Sequence, residues 1–334
     1  MIKPSEALFE GAITQHLVDS GGYQVSKWGT RPEWADHFDA ANGIDTAELF
    51  AFLEATQAKT WAGLVKSHGG SVDIAKKKFL QRLADGLDDR GTVDVLRHGV
   101  MDQNFQIRLA YFKPAHSLTP ELVALYESNR LSVTRQLPYE PGSFKTLDLC
   151  LFVNGLPVAT AELKNELTGQ GLDQATKQYR TDRDPKNVTL GRRAMVHFAV
   201  DPLRVSMTTK LAGQATRFLP FNLGADGGAG NPVNPNGHRS SYLWERVWAK
   251  EPWMDLLARF INVERPSKGS AASKKAAEVV IFPRYHQWDA VIKIEADAKA
   301  KGPGQSCLIQ HSAGSGKSNT IAWTAHRLSS LHDD

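Results

Sequence analysis

Cysteine is nearly missing from this chain. Cys150 and Cys307 are the only two among 334 residues. A disulfide framework is thereby excluded, and two thiols set in separate apolar runs read as reduced core residues of a cytoplasmic protein. Long hydrophobic runs are lacking too. No apolar stretch approaches membrane-spanning length, and the N-terminus has no signal-peptide pattern, so neither membrane insertion nor secretion is expected. There is no internal repeat and no large excess of one charge: 40 Lys and Arg stand against 36 Asp and Glu, a net +4. Any nucleic-acid contact must therefore come from local charge distribution rather than from the sum. The short basic patches at Lys76 to Lys78, Arg192 to Arg193 and Lys274 to Lys275 each read, taken singly, as a solvated face.

What is present suits a folded protein. Hydrophobic residues make up 41% and charged residues 23%, which excludes a disordered chain. The length exceeds one ordinary domain, so two are expected. Apolar spacing predicts a helix over 5–19 and further helices over 46–55, 59–67, 72–85 and 119–128. Strands are predicted at Phe105 to Tyr111 and Val133 to Leu137, followed by a hairpin in which Leu147, Leu149, Leu151 and Val153 alternate with Asp148, Cys150 and Phe152. The turn signal Asn154-Gly155 and a return strand over Val158 to Lys164 complete it. A helix over 172–180 leads to an apolar strand over Ala194 to Val200, and Val205 to Thr209 alternates again. Phe218 to Phe221 is a short strand, and 222–239 is an extended loop. Helix returns over Tyr242 to Ile261, with Pro252 expected to kink or divide it. The Ser/Gly/Lys-rich stretch around 264–275 marks the domain boundary, giving units at 1–263 and 276–334.

Acidic residues inside apolar strands are costly unless paired or bound to metal. Asp148 lies on one strand of the hairpin, and Glu162 and Lys164, two residues apart, share a face of the next. Two carboxylates can hold a divalent cation beside a lysine, the equipment of phosphodiester hydrolysis, and oxygen-only ligands favour Mg2+ or Mn2+ over zinc. The turn imposes a condition. A strict two-residue hairpin sets Asp148 opposite Ala161 and puts Glu162 on the far face, so the metal reading requires a longer loop, a bulge or a splay. It predicts Asp148 level with Glu162. Glu166 competes for a metal role. Glu10 lies on the first helix and is a surface charge by its spacing alone. Gln174, Gln178 and Tyr179 sit on the helix after Lys164, where the glutamines could contact phosphate, position a carboxylate or face solvent.

Near the C-terminal end, Ser312 to Ser318 reads Ser-Ala-Gly-Ser-Gly-Lys-Ser behind the apolar run Cys307, Leu308, Ile309. A strand ending near Gln310, a turn through Gly314, Ser315 and Gly316, and a helix from Lys317 would cradle phosphate. Lys317 would reach the β and γ phosphates of ATP, and Ser318 would ligate magnesium. His311 stands where the usual pattern G-x-x-x-x-G-K-[ST] has its first glycine. Upstream, Arg284 and Gln287 lie at a helix start, and the Gln287 amide can both donate to and accept from an adenine edge. Hydrolysis also needs an acidic group from a later strand, and none precedes Asp334. The sequence is therefore expected to hold only the opening of a motor domain, unable to translocate.

The ordered series resembles the restriction, or motor, subunit of type I restriction-modification enzymes. It comprises Asp148, Glu162-Leu163-Lys164, Gln178 to Pro185, Val196 to Asp201, Met207 to Lys210, Phe218 to Asn222, the Gly227 to Pro232 loop, Phe282 to Gln287 and Ser312 to Ser318. The resemblance implies an α/β (α+β) fold: a PD-(D/E)xK restriction-endonuclease-like core with a mixed sheet and flanking helices, then the truncated start of a RecA-like superfamily 2 motor lobe. It implies Asp148, Glu162 and Lys164 as the catalytic set, Glu10 as an additional helix acid, and Arg284, Gln287 and the 314–318 loop as nucleotide contacts. Gln174, Gln178, Tyr179, Arg180 and Arg183 become DNA-contacting or site-supporting residues. Leu147 replaces the proline common before the first aspartate. Gln174 and Tyr179 are one residue further apart than the related Gln-x-x-x-Tyr element, which leaves Gln174 and Gln178 as rivals. Implied cofactors are Mg2+ and ATP, and implied partners are double-stranded DNA with the methyltransferase and specificity subunits. A noncatalytic DNA-binding or assembly module, and an ATPase portion without an active nuclease, are the competing readings.

Overall fold

Every residue from Leu156 to Leu163 in the return strand is buried, and that strand organises the molecule. The computed structural model describes residues 4–25, 37–115, 118–165, 171–225, 228–264 and 279–331. The N-terminal part comprises α1 (Pro4–Asp19), β1 (Tyr23–Val25), β2 (Phe38–Asp39), β3 (Ile44–Asp45), α2 (Thr46–Thr56), α3 (Ala58–Ser67) and α4 (Val72–His98). The middle holds β4 (Val100–Asp102), β5 (Phe105–Ile107), α5 (Pro120–Glu127), β6 (Leu131–Pro138), β7 (Thr146–Val153), β8 (Leu156–Leu163) and α6 (Leu172–Thr181). Then come β9 (Val196–Val200), β10 (Val205–Thr208), β11 (Leu219–Pro220), α7 (Lys250–Asp255), β12 (Asn262–Glu264), β13 (Val279–Ile281), α8 (Tyr285–Lys301) and α9 (Lys317–Ser329).

Seven strands form one mixed sheet in the order β1-β6-β7-β8-β9-β10-β11. β1 pairs parallel with β6 and β8 parallel with β9, whereas β6-β7-β8 and β9-β10-β11 are antiparallel. The parallel step from β8 to β9 is made possible by α6, which crosses over and packs on β8, β9 and β10. The two faces of β7 enter different cores. Leu149, Leu151 and Val153 pack in the cluster that contains Ile13 and Leu17 of α1, and Cys150 and Phe152 join Tyr179 of α6.

Asn154 and Gly155 both have positive φ, +50 and +83, as a two-residue hairpin turn with the strands' own twist demands. A Cβ on Gly155 would lie 2.3 Å from the Asp45 carbonyl oxygen, so glycine is required there on two counts. Val153 faces Leu156, yet the ladder shifts between Leu151 and Phe152, and beyond the shift Leu149 faces Ala161. The extra residue of this β-bulge is Val158. One step further along the shifted register, Asp148 is level with Glu162, as the metal reading requires.

Other expectations need correction. The strand predicted over Phe105 to Tyr111 is only β5, and α4 runs on to His98 across a break at Gly91, whose φ is +77. The helix over Tyr242 to Ile261 is divided into a π-helical turn at Leu243–Val247, α7 with Pro252 in its first turn, and a second π turn at Leu256–Phe260. No strand ends near Gln310: 305–312 is irregular, and Leu308 is 95% exposed. A strand exists only where its backbone finds a pairing partner, and no described strand lies beside this run. Cys307 is consequently exposed, against the expectation of a core residue, while Cys150 is buried. Glu166 and most of the 264–275 boundary fall outside the described residues. β12 and β13 pair antiparallel on either side of that boundary.

Candidate functional site

Asp148 stands near the start of β7 and Glu162 near the end of β8, so the antiparallel ladder brings both to the same end of the sheet. The Asp148 Oδ2 accepts from the Leu163 backbone N–H at 2.8 Å, which ties the carboxylate to the strand carrying Glu162. Lys164 follows directly after β8. Its Nζ lies 3.8 Å from Asp148 Oδ2 and 3.9 Å from Glu6 Oε1, and donates to the Leu163 carbonyl at 2.8 Å. The sequence-predicted triad is thus one cluster.

Glu162 is fully buried. Arg183, which follows α6, donates to its Oε1 from Nε at 2.7 Å and brings Nη2 within 2.7 Å of the same oxygen as an ion pair, while Oε2 has no hydrogen-bond partner. Burial and the neighbouring Asp148 push the Glu162 carboxyl well above the usual carboxylate range, against the pull of Arg183 and Lys164. Arg183 also donates to the Thr146 carbonyl at 2.7 Å. Burial works against its charge, but Glu162 and Tyr139 together more than offset it and hold the guanidinium above its ordinary value.

Glu10 comes in from α1. At 1% exposure it is buried rather than the surface charge its spacing suggested. It accepts from Arg135 Nε at 3.2 Å and from Gln136 Nε2 at 2.6 Å. Burial, then Asp148, raises its carboxyl from 4.5 to about 7, while Arg135 and Gln136 act in the opposite direction. Among the described residues, no three His, Cys, Asp or Glu side chains are grouped closely enough to hold a metal ion as they stand. The amide of Gln136 and the guanidinium of Arg183 contact these carboxylates instead.

On α6, Gln174 is exposed and Gln178 half-buried. Tyr179 is buried, its hydroxyl 2.8 Å from Thr160 Oγ1, which in turn lies 2.8 Å from His197 Nδ1. Burial lowers His197 to about 3, which favours the neutral imidazole in this buried hydrogen-bonded series. Arg180 donates to the Thr216 carbonyl and lies over Phe218. Gln136 and Glu6 were not singled out from sequence. Gln136 would have emerged once β6 was registered on β7, because Arg135 faces Leu149 and Leu137 faces Leu147. Glu6 is one helical turn before Glu10, a spacing that places both on one side of α1.

A second region is built on α8 and α9. Gly316, with φ +81, is the N-cap of α9. Gln287 accepts from the Arg284 N–H at 2.9 Å and donates to the Gly316 carbonyl at 2.8 Å, so its buried amide holds the loop against α8. Ser315 is buried and Ser318 exposed. Lys317 donates to the carbonyls of His311 and Ser312 at 3.2 and 3.0 Å. A cleft of about 480 Å³ beside this loop is lined by Arg284, Gln287, Gly316, Asn319 and residues 207–210.

Residues 3–216, the span that holds the acidic cluster, match the family described as type I restriction enzyme R protein N terminus. The chain belongs to that family. It is also similar to the type I restriction enzyme HindI endonuclease subunit of Haemophilus influenzae, at 25% identity over 272 residues. That alignment takes in 79% of this chain and 23% of the relative, so the chain spans about a quarter of the relative's length. The loop at 312–318 lies beyond the family match. No helix among the described residues is long and apolar enough to cross a membrane.

Proposed function

We propose that this chain carries the nuclease part of an ATP-driven type I restriction complex, with a PD-(D/E)xK site that cleaves double-stranded DNA in the presence of Mg2+. The observation that carries this reading is the convergence of Asp148, Glu162 and Lys164, with Glu10, at one end of the sheet through the bulge at Val158. Membership of the restriction-enzyme family supports it. The residues fit a hard cation: the donors are all carboxylate oxygens, and the buried Oε2 of Glu162 has no partner. Asp148, Glu162 and Glu10 would hold the ion, and Mn2+ could substitute for Mg2+. The ion would offset charge on the phosphoryl oxygens and lower the pKa of bound water.

Lys164, between Asp148 and Glu6, is placed to orient the attacking water and to screen the developing negative charge. Arg183 keeps Glu162 in place from the protein interior. In this reading residues 1–263 form the nuclease unit and 276–334 belong to an ATP-binding motor lobe, where Lys317 and Ser318 open α9 at the phosphate site. DNA, the methyltransferase subunit and the specificity subunit are the partners.

The test is plasmid linearisation by the full-length subunit in its assembled complex, alongside Mn2+ binding. Asp148→Ala should abolish cutting and weaken Mn2+ binding while the complex still assembles. Undiminished cleavage would defeat the assignment in favour of an assembly module.

A further inference from the structure

Arg135 and Gln136 are neighbours on β6, and neighbours on a regular strand point to opposite faces. Both nevertheless reach Glu10, Arg135 at its Oε2 and Gln136 at its Oε1. The backbone of Gln136 explains this. Its φ is +51, in the left-handed region, and of the three described non-glycine residues with positive φ it alone lies within a strand. The ladder on either side is undisturbed, with Arg135 opposite Leu149 and Leu137 opposite Leu147. The left-handed residue therefore sits level with Asp148 without shifting the register.

The side chain uses what that irregularity provides. An amide nitrogen carries two N–H donors, and Gln136 Nε2 contacts Glu10 Oε1 at 2.6 Å and Asp148 Oδ1 at 3.3 Å. Its Oε1 accepts from the Thr146 hydroxyl at 2.7 Å, which fixes which end of the amide faces the carboxylates. Glu10 belongs to a helix, Asp148 to a strand, and no other described side chain donates to both. Left-handed backbone at a non-glycine residue persists only where the surroundings enforce it, and such positions concentrate at functional sites.

We infer that Gln136 is a positioning residue of the nuclease site, joining the helix carboxylate of Glu10 to the strand carboxylate of Asp148 through one amide nitrogen. The inference rests on the nuclease reading. Groups that orient metal ligands from behind typically change metal affinity by about 10- to 100-fold when removed.

Gln136→Gly separates this role from folding, because glycine accepts the left-handed backbone without strain. Gln136→Asn is a second probe: asparagine also tolerates that conformation but is one methylene too short to span the two carboxylates. Mn2+ binding to the 334-residue chain is measured by the paramagnetic resonance signal of free Mn2+, with thermal melting followed in parallel. The Mn2+ dependence of cleavage is measured in the assembled complex. Both variants should melt close to the wild type, bind Mn2+ about 10- to 100-fold more weakly, and recover most of the cleavage rate at saturating Mn2+. A folded variant of either kind with wild-type Mn2+ affinity would overturn the inference. If Asp148→Ala also binds Mn2+ like the wild type, or the wild type binds none, the nuclease reading itself fails and the role of Gln136 fails with it.

Discussion

Arg183 engages a single oxygen of Glu162, donating from Nε with Nη2 paired to the same atom, and leaves the other oxygen without a partner. A fully buried carboxylate thus has one oxygen held by the protein interior and one uncommitted. Breaking a buried ion pair by removing one member typically costs about 3–5 kcal/mol, because the remaining charge is left uncompensated. Arg183→Met should lower stability in denaturant melts by an amount in that range. Adding Glu162→Gln should recover much of the loss, since no buried charge then remains. If Arg183→Met melts like the wild type, Glu162 does not depend on the guanidinium for its place in the interior.

The Glu10 carboxyl predicts a pH dependence whose sign follows from its environment. Its pKa rises from 4.5 to about 7, chiefly through burial and secondarily through Asp148. The folded state therefore favours the protonated acid. The stability this provides is fully present below pH 4.5 and is lost as pH rises through 7, with a slope of about 1.4 kcal/mol per pH unit at its steepest. Glu10→Gln lacks the titration. In buffer containing a chelator, the stability of the wild type relative to Glu10→Gln should fall between pH 4.5 and 7 and then level off. A constant difference across that window would show that Glu10 is not held in this environment. Since Mn2+ favours the ionised carboxylate, saturating Mn2+ should move the fall to lower pH.

The hairpin was legible in the sequence because its chemistry and its geometry constrain one another. Alternation set the face of each residue from Leu149 to Val153, whereas Leu147 packs with Cys150 and Phe152; Asn154-Gly155 set the turn, and the demand that Asp148 meet Glu162 required an irregularity that the bulge at Val158 supplies. Gln136 was not legible. A glutamine in a strand looks like any solvated polar residue until its left-handed backbone and its level relative to Asp148 are known. Arg183 was singled out only through the family resemblance, as a DNA-contacting or site-supporting residue; nothing in the charged run Gln178 to Pro185 marks it as the buried partner of Glu162. Cys307 to Ile309 misled in the opposite sense. An apolar run has the composition of a core strand, but strand formation depends on a neighbour that composition does not report.

At the 312–318 loop, Gln287 and Gly316 share space in a way that a substitution can test. Gly316 has φ +81, and a Cβ there would approach Gln287 Nε2 to 2.5 Å. Gly316→Ala should therefore be strained twice, through its backbone and through displacement of the amide that holds the loop to α8. Gln287→Ala removes the collision and the tether but leaves the backbone strain. The double variant should thus be less destabilised than the sum of the two single changes, because the residues are in contact. If Gln287 also serves nucleotide binding by holding the loop, Gln287→Ala should weaken binding of ATP and of inorganic triphosphate alike, measured by fluorescence competition. A residue that only reads adenine would affect ATP and leave triphosphate unchanged. Equal triphosphate affinity in wild type and Gln287→Ala would return Gln287 to the base-reading role that its amide suggested in the sequence.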